Sequence, residues 1–274
     1  MRKVVFILAL ALATITSCGN TGKKQPKSAS STVTEAPAGA NPAARPAPKP
    51  KSFVAEVVRE FPHDVSSYTQ GLFFHEGQLY ESTGLYGEST LRIVDLRSGK
   101  ALRKMDFDRK YFAEGSVILG GSLYVLTWES RLAFKYDAQT LEYQASYNYP
   151  REGWGLTTDG TRLIASDGSS NLFFLDENFK TLKTVKVRIG NRPVADLNEL
   201  EYIDGKVWAN IYLTGMVVII DPETGYVEAT VDCGALKPSS KAVDADVLNG
   251  IAWDGENIYM TGKKWDKLFQ VRLK

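Results

Sequence analysis

The sequence predicts an all-β fold, a five-bladed β-propeller whose last blade is closed by the N-terminal strand. Three observations predict it. Four strand-like segments end in aspartate about forty residues apart, a second register of five similar strand starts recurs at a matching period, and no window shows sustained 3.6-residue periodicity with helix caps. Composition agrees: of 274 residues 43% are hydrophobic and 11% aromatic, enough to bury a sizeable core, and 23 glycines supply turns between many short strands. A net charge of +1, with no basic run in the folded part, excludes an electrostatic case for a nucleic-acid partner.

The first element is not part of the fold. Arg2 and Lys3 precede an apolar run from Val4 to Ala13, and Ile15-Thr16-Ser17 leads into Cys18. This reads as a lipoprotein signal peptide over 1–17, cleaved before Cys18, whose thiol would carry a diacylglyceryl group. The apolar run is too short to span a bilayer comfortably. An ordinary signal peptide with an incidental Cys18 is the plainer alternative. Residues 18–52 are rich in Pro, Ala, Ser, Thr and Lys and end in Pro-Ala-Ala-Arg-Pro-Ala-Pro-Lys-Pro, which predicts an extended tether. The chain is therefore expected to be exported and lipid-anchored in a bacterial cell envelope, touching the membrane through the anchor only.

Residues 53–274 form the predicted propeller. The aspartate-ending strands are Leu91–Asp95, Ala133–Asp137, Leu172–Asp176 and Val218–Asp221, with intervals of 42, 39 and 45 between their aspartates. The earlier register comprises Gln70-Gly71, Glu114-Gly115, Trp154-Gly155, Asn198-Glu199 and Asn249-Gly250, at intervals of 44, 40, 44 and 51. Glycine in four of these five pairs predicts backbone crowding at the start of each innermost strand. The fifth repeat runs out at Lys274 before an outer strand, while Phe53–Phe61 reads as a strand belonging to no repeat. Pairing the two removes an exposed edge. A β-sandwich is the competing architecture and does not account for a fivefold register.

First strands of a propeller line its central channel, so Gln70, Glu114, Trp154, Asn198 and Asn249 are predicted to form one ring. Fourteen residues onward from each lie Gly84, Trp128, Gly168, Tyr212 and Lys263, expected on or just after the second strands at the same mouth. Together they describe a small polar pocket with aromatic walls, the usual anatomy of a small-ligand site. Glu114 stands out, because its Phe-Ala-Glu-Gly setting buries a carboxylate that on average prefers the surface. Glu81, Glu152, Glu199 and Glu201 are its rivals, with backbone hydrogen bonding at blade ends as their plainer role. Trp208, Trp253 and Trp265 read as packing residues, and Asn249 divides evenly between ring member and turn former. Cys233 has no histidine near it in sequence and reads as a small, semi-buried residue. The only histidines, His63 and His75, argue against a His-rich zinc site.

Eight segments carry a family resemblance: Tyr-Thr-Gln-Gly-Leu (68–72), Glu-Ser-Thr-Gly-Leu-Tyr-Gly (81–87), Phe-Ala-Glu-Gly (112–115), Leu-Thr-Trp (126–128), Glu-Gly-Trp-Gly-Leu (152–156), Leu-Asn-Glu-Leu-Glu (197–201), Val-Trp-Ala-Asn-Ile-Tyr (207–212) and Leu-Asn-Gly-Ile-Ala-Trp (248–253). They resemble the plant- and bacterial-type glutaminyl cyclases, or glutamine cyclotransferases, across essentially all of 54–274. The resemblance implies a five-bladed propeller that converts an N-terminal glutaminyl residue of a peptide or protein to pyroglutamate with loss of ammonia. It places the family's catalytic glutamate on Glu114 and its substrate-contacting groups on Gln70, Asn198 and Lys263. Trp128 and Trp154 take the aromatic walls, Tyr68 and Phe112 match family aromatics, and Tyr212 stands where the family often has tryptophan. Glu114 would then shuttle a proton from the attacking amine to the departing nitrogen, a scheme that needs no metal or other cofactor. The chain is expected to act as a monomer. A non-catalytic propeller binding a peptide or small ligand in the same channel is the alternative. A quinone- or sugar-dependent dehydrogenase propeller would want more blades and the histidine or metal ligands this sequence lacks.

Overall fold

The structure is a computed structural model that describes residues 49–274; the leader, Cys18 and the tether up to residue 48 lie outside the described residues. Every regular element among the described residues is a β-strand. The chain opens with β1 (Lys51–Pro62) and then builds three four-stranded antiparallel meanders. The first holds β2 (Thr69–His75), β3 (Gln78–Thr83), β4 (Thr90–Val94) and β5 (Ala101–Asp106). The second holds β6 (Ala113–Leu119), β7 (Ser122–Thr127), β8 (Leu132–Asp137) and β9 (Tyr143–Asn148). The third holds β10 (Leu156–Thr158), β11 (Leu163–Ala165), β12 (Asn171–Leu175) and β13 (Thr181–Lys186).

A two-stranded ribbon, β14 (Arg188–Ile189) with β15 (Arg192–Pro193), precedes the last and largest sheet. That sheet contains β16 (Leu197–Ile203), β17 (Lys206–Ile211), β18 (Met216–Ile220), β19 (Val227–Asp232), β20 (Leu248–Trp253), β21 (Ile258–Gly262) and β22 (Lys267–Leu273). Its order, β16-β17-β18-β19-β1-β22-β21-β20, is two meanders joined through β1. Residues 51–54 pair in parallel with β19, and residues 55–62 pair antiparallel with β22. The fold is thus all-β and propeller-like.

The first strands of successive meanders face one another: β2 packs against β6 and β20, β6 against β10, β10 against β16, and β16 against β20. These strands are almost wholly buried, whereas the fourth strands β5 and β9 are mostly exposed, so burial falls from first strand to fourth. Hydrophobic clusters fill the spaces between adjacent sheets, with Leu123, Val125 and Phe134 meeting Phe73 and Leu91 in one of them. Trp208 and Trp265 are core residues of another, and Trp253 packs at its edge, matching their reading as packing residues.

The crowding predicted for the first strands is geometric fact at Gly115 and Gly155. A Cβ at Gly115 would overlap the backbone of Trp154 and Leu156, and one at Gly155 would overlap the carbonyl of Asn198. The third meander departs from the predicted pattern: β10 begins only at Leu156, so Trp154 lies in the lead-in and not on the strand. There the backbone bonds sideways, with Gly115 donating to the Trp154 carbonyl at 2.7 Å. The longest interval, from Asn198 to Asn249, is accounted for by residues 233–247, which carry no strand.

Candidate functional site

Four of the five ring residues occupy equivalent positions. Gln70, Glu114, Asn198 and Asn249 are each the second residue of a first strand, on β2, β6, β16 and β20. In each of those strands the pairing register slips at that point, between Thr69 and Gly71, Ala113 and Ser116, Leu197 and Leu200, and Leu248 and Ile251. A bulge re-aims the extra side chain out of the ladder. Here it removes the four side chains from strand pairing; Gln70, Glu114 and Asn198 line the cavity, and Asn249 is fully buried outside its lining.

The second predicted set lands as expected, immediately after β3, β7, β17 and β21 for Gly84, Trp128, Tyr212 and Lys263, and shortly after β11 for Gly168. Its two glycines contribute space. A side chain at Gly84 would overlap the Phe112 ring, and one at Gly168, whose φ is +77°, would overlap the Trp154 indole. Where this register carries no wall residue, it makes room for a neighbour's.

All nine residues predicted to act on substrate line one cavity of about 170 Å³: Tyr68, Gln70, Phe112, Glu114, Trp128, Trp154, Asn198, Tyr212 and Lys263. Its rim is a closed circuit of contacts. Trp154 meets Tyr212 edge-on at 5.6 Å, Lys263 Nζ lies 5.0 Å from the centre of the Tyr212 ring and 4.7 Å from that of Tyr68, Tyr68 meets Phe112 at 6.1 Å, and Phe112 meets Trp128 at 5.5 Å. Glu152 completes the circuit, because its Oε2 accepts the indole N–H of Trp128 at 2.9 Å and that of Trp154 at 3.2 Å.

At the floor, Gln70 Nε2 donates to Glu114 Oε1 at 2.9 Å. Glu114 is only 5% exposed. Burial pushes its carboxyl well above the usual carboxylate range; Lys263 pulls it down and Glu152 pushes it further up. Burial also holds Lys263 below the ordinary lysine range, opposed by the charges of Glu114 and Asp246. This is a protonatable acid, a cation and carboxamides converging on an apolar-walled space, the composition of a proton-transfer site.

The rival carboxylates have other partners. Glu199 accepts the backbone N–H groups of Leu72 and Ile251, at 3.2 and 2.9 Å, and Glu201 accepts that of Trp253 at 3.2 Å. Glu81 is bonded to His63, Ser67 and Thr69. Cys233 is 2% exposed, and burial pushes its thiol up to about 12, so it packs as a small apolar residue. The structure gives three residues places that the sequence reading did not: Glu152, read as a rival of Glu114, joins the rim; Asn249, read as a ring member or turn former, stays out of the cavity lining; and Asp246 was not singled out at all. Asn249 lies behind Gln70, and Asp246, which accepts from the Tyr68 hydroxyl at 3.1 Å, sits in the strandless segment where no register points to it.

Comparison with known proteins meets this geometry. A family model described as glutamine cyclotransferase matches residues 28–273. A glutaminyl-peptide cyclotransferase of Arabidopsis thaliana is 42% identical over 229 residues, covering 80% of this chain and 71% of that protein. The crystal structure of Myxococcus xanthus glutaminyl cyclase matches with a TM-score of 0.76 at 37% identity, covering 82% of this chain and 99% of that one. The likeness is one of fold and sequence together and runs through every strand that feeds the cavity: the chain belongs to the glutamine cyclotransferase family.

Proposed function

We propose that this chain is a glutaminyl-peptide cyclotransferase, closing an N-terminal glutaminyl residue to pyroglutamate and releasing ammonia without a metal. One observation carries the reading: a buried Glu114 carboxyl, held by Gln70, at the floor of an aromatic-walled cavity of about 170 Å³. That space is smaller than the roughly 300–1,000 Å³ of sites for drug-sized ligands, and suits a single residue folded on itself.

In the reaction the neutral α-amine attacks the side-chain amide carbon. A C–N bond forms, the bond to the amide nitrogen breaks, and one proton must move from the first nitrogen to the second. Glu114 takes that proton and delivers it. Burial raises its pKa above the usual carboxylate range, which makes the carboxylate a stronger base toward the amine proton than an exposed glutamate would be. Gln70 and Asn198, with the charge of Lys263, stabilise the oxyanion that develops on the amide carbonyl. Trp128, Trp154 and Tyr212 hold the flexible side chain in the folded conformer that reacts, with Tyr68 and Phe112 completing the wall. Ammonia release from a glutaminyl peptide, with and without a chelator, tests the activity. Replacing Glu114 with Gln should leave the melting temperature intact and lower kcat by about 10²-fold or more; near-normal turnover would remove Glu114 from the role.

The same reading extends to the whole chain. We propose five blades, with β1 as the outer strand of the last. The mutual packing of β2, β6, β10, β16 and β20 and the pairing of β1 with β22 support this. Residues 1–17 act as a lipoprotein signal peptide, 18–52 as a lipidated tether and 53–274 as the catalytic domain. The enzyme is a monomer in the cell envelope, anchored through Cys18, acting on peptide or protein N-termini and not on nucleic acid.

A further inference from the structure

Behind the cavity floor a chain of two side chains, Asn249 and Gln70, leads to Glu114. Asn249 is fully buried. Its Nδ2 donates to the Thr69 carbonyl at 2.9 Å and to Gln70 Oε1 at 3.3 Å, and Gln70 Nε2 donates to Glu114 Oε1 at 2.9 Å. The two ends of a carboxamide are almost equal in shape and opposite in hydrogen-bonding sense. The Thr69 carbonyl can only accept, so the Asn249 atom facing it must be nitrogen. The second proton of that NH₂ then meets the Gln70 oxygen, which leaves Gln70 its nitrogen for Glu114. The main chain of β2 therefore decides, through Asn249, which end of the Gln70 amide faces the carboxylate.

Asn249 is itself held in place. The following residue, Gly250, has φ +119°, and its N–H donates to Asn210 Oδ1 on β17 at 3.1 Å. A substituent on Gly250 would press on Thr69 and Thr261, each 3.1 Å from the added carbon. Without Asn249, Gln70 is free to rotate and present its oxygen to Glu114, where it would repel the ionised carboxyl and offer it no donor.

We propose that Asn249 is a positioning residue for the reaction: it sets the orientation of the Gln70 amide and so keeps a donor on the Glu114 carboxylate. The inference rests on the assignment of Glu114 above. Asn249→Ala should lower kcat roughly tenfold with KM changed less than about twofold, the loss of one hydrogen bond to a charged group. The acidic limb of the kcat/KM profile should move to higher pH, because an ionised carboxyl deprived of a donor binds its proton more tightly. In a Gln70→Leu background the same substitution should add less than about twofold, since its effect passes through a side chain already removed.

Carbon-13 titration of the Glu114 carboxyl in labelled enzyme reads the relay without reference to turnover. Asn249→Ala and Gln70→Leu should raise its pKa by the same amount. Should the alanine variant fail to fold, Asn249→Ser supplies the comparison, because its hydroxyl can keep the Thr69 bond and cannot also reach Gln70. An unshifted Glu114 titration, or full additivity of the two substitutions, overturns the proposal. Normal turnover of Glu114→Gln would instead overturn the proton shuttle and leave the titration result standing.

Discussion

At the scale of single residues, the centre of this molecule holds several buried ionisable groups, and their partners sort them by role. Glu199 spends its oxygens on the backbone N–H groups of Leu72 and Ile251, and Glu201 accepts the Trp253 N–H and the Thr157 hydroxyl, so each ties its own strand to neighbouring first strands. Glu81 is an ionised partner: His63 donates to it at 2.9 Å while the other ring nitrogen meets the Trp265 carbonyl at 2.7 Å, and its carboxyl is held below the usual range. Glu201 lacks a cation, and burial pushes its pKa from 4.5 up to about 8. A carboxyl whose pKa is raised by folding contributes fully below its unfolded value and loses that contribution as pH rises toward the folded value. Stability should therefore decline between pH 4.5 and about 8. The raised pKa of His63 acts in the same direction, so the wild-type slope alone does not isolate Glu201. Comparison with Glu201→Gln does, because glutamine retains an acceptor for Trp253 and a polar group for Thr157. The variant should melt close to wild type at pH 4.5 and above it at pH 8.5. Parallel melting curves of the two proteins across that range would contradict the assignment.

At the scale of elements, bulges and the first strand explain how ordinary β-meanders present chemistry. A bulge at the second residue of β2, β6, β16 and β20 takes the ring side chains out of the ladder. The glycine that usually follows lets first strands approach closely, and where glutamate stands instead, at Glu199, its side chain joins strands through their N–H groups. β1 changes partner midway, from parallel with β19 to antiparallel with β22, and its register slips between Val57 and Arg59. Ala55, at the change of partner, is fully buried, while Val58, at the slip, is 53% exposed. Ala55→Asp should thus destabilise the domain by roughly 3 kcal/mol or more, as an unpaired buried charge does. Val58→Asp should remain within about 0.5 kcal/mol of wild type. Urea unfolding measures both, and equal effects would mean that β1 is not integral to the last sheet.

At the scale of the whole molecule, the cavity is a property of the circle and not of any one sheet. Tyr68 and Gln70 come from the start of the first meander, Trp128 from the turn between β7 and β8 in the second, Trp154 precedes the third, and Tyr212 and Lys263 come from the two halves of the largest sheet. The cavity geometry then depends on how the first strands of separate meanders meet, while Cys18, the residue proposed to carry a lipid, lies outside the described residues. Cys18→Ser should move the enzyme from the membrane to the soluble fraction with kcat/KM unchanged. Retention in the membrane fraction would count against lipidation.

The sequence by itself determined the repeat. Aspartate-ending strands and ring residues recur at near-constant separation because each meander needs about the same length of chain, and a constant offset of fourteen places two side chains at the same end of a hairpin. That is why seven of the nine residues lining the cavity, Lys263 among them, were legible from the repeat alone, while Tyr68 and Phe112 were legible only through the family resemblance. What lies between repeats was not legible. Glu152 bonding to two indoles, Asp246 reaching Tyr68, and Asn249 turning the Gln70 amide all depend on contacts across sheets and on which end of a carboxamide faces which atom. Periodicity records where a side chain sits within its own meander. Only tertiary packing brings separate meanders together, and only the donors and acceptors that meet there decide which of several buried polar groups is braced for structure and which is left facing the cavity.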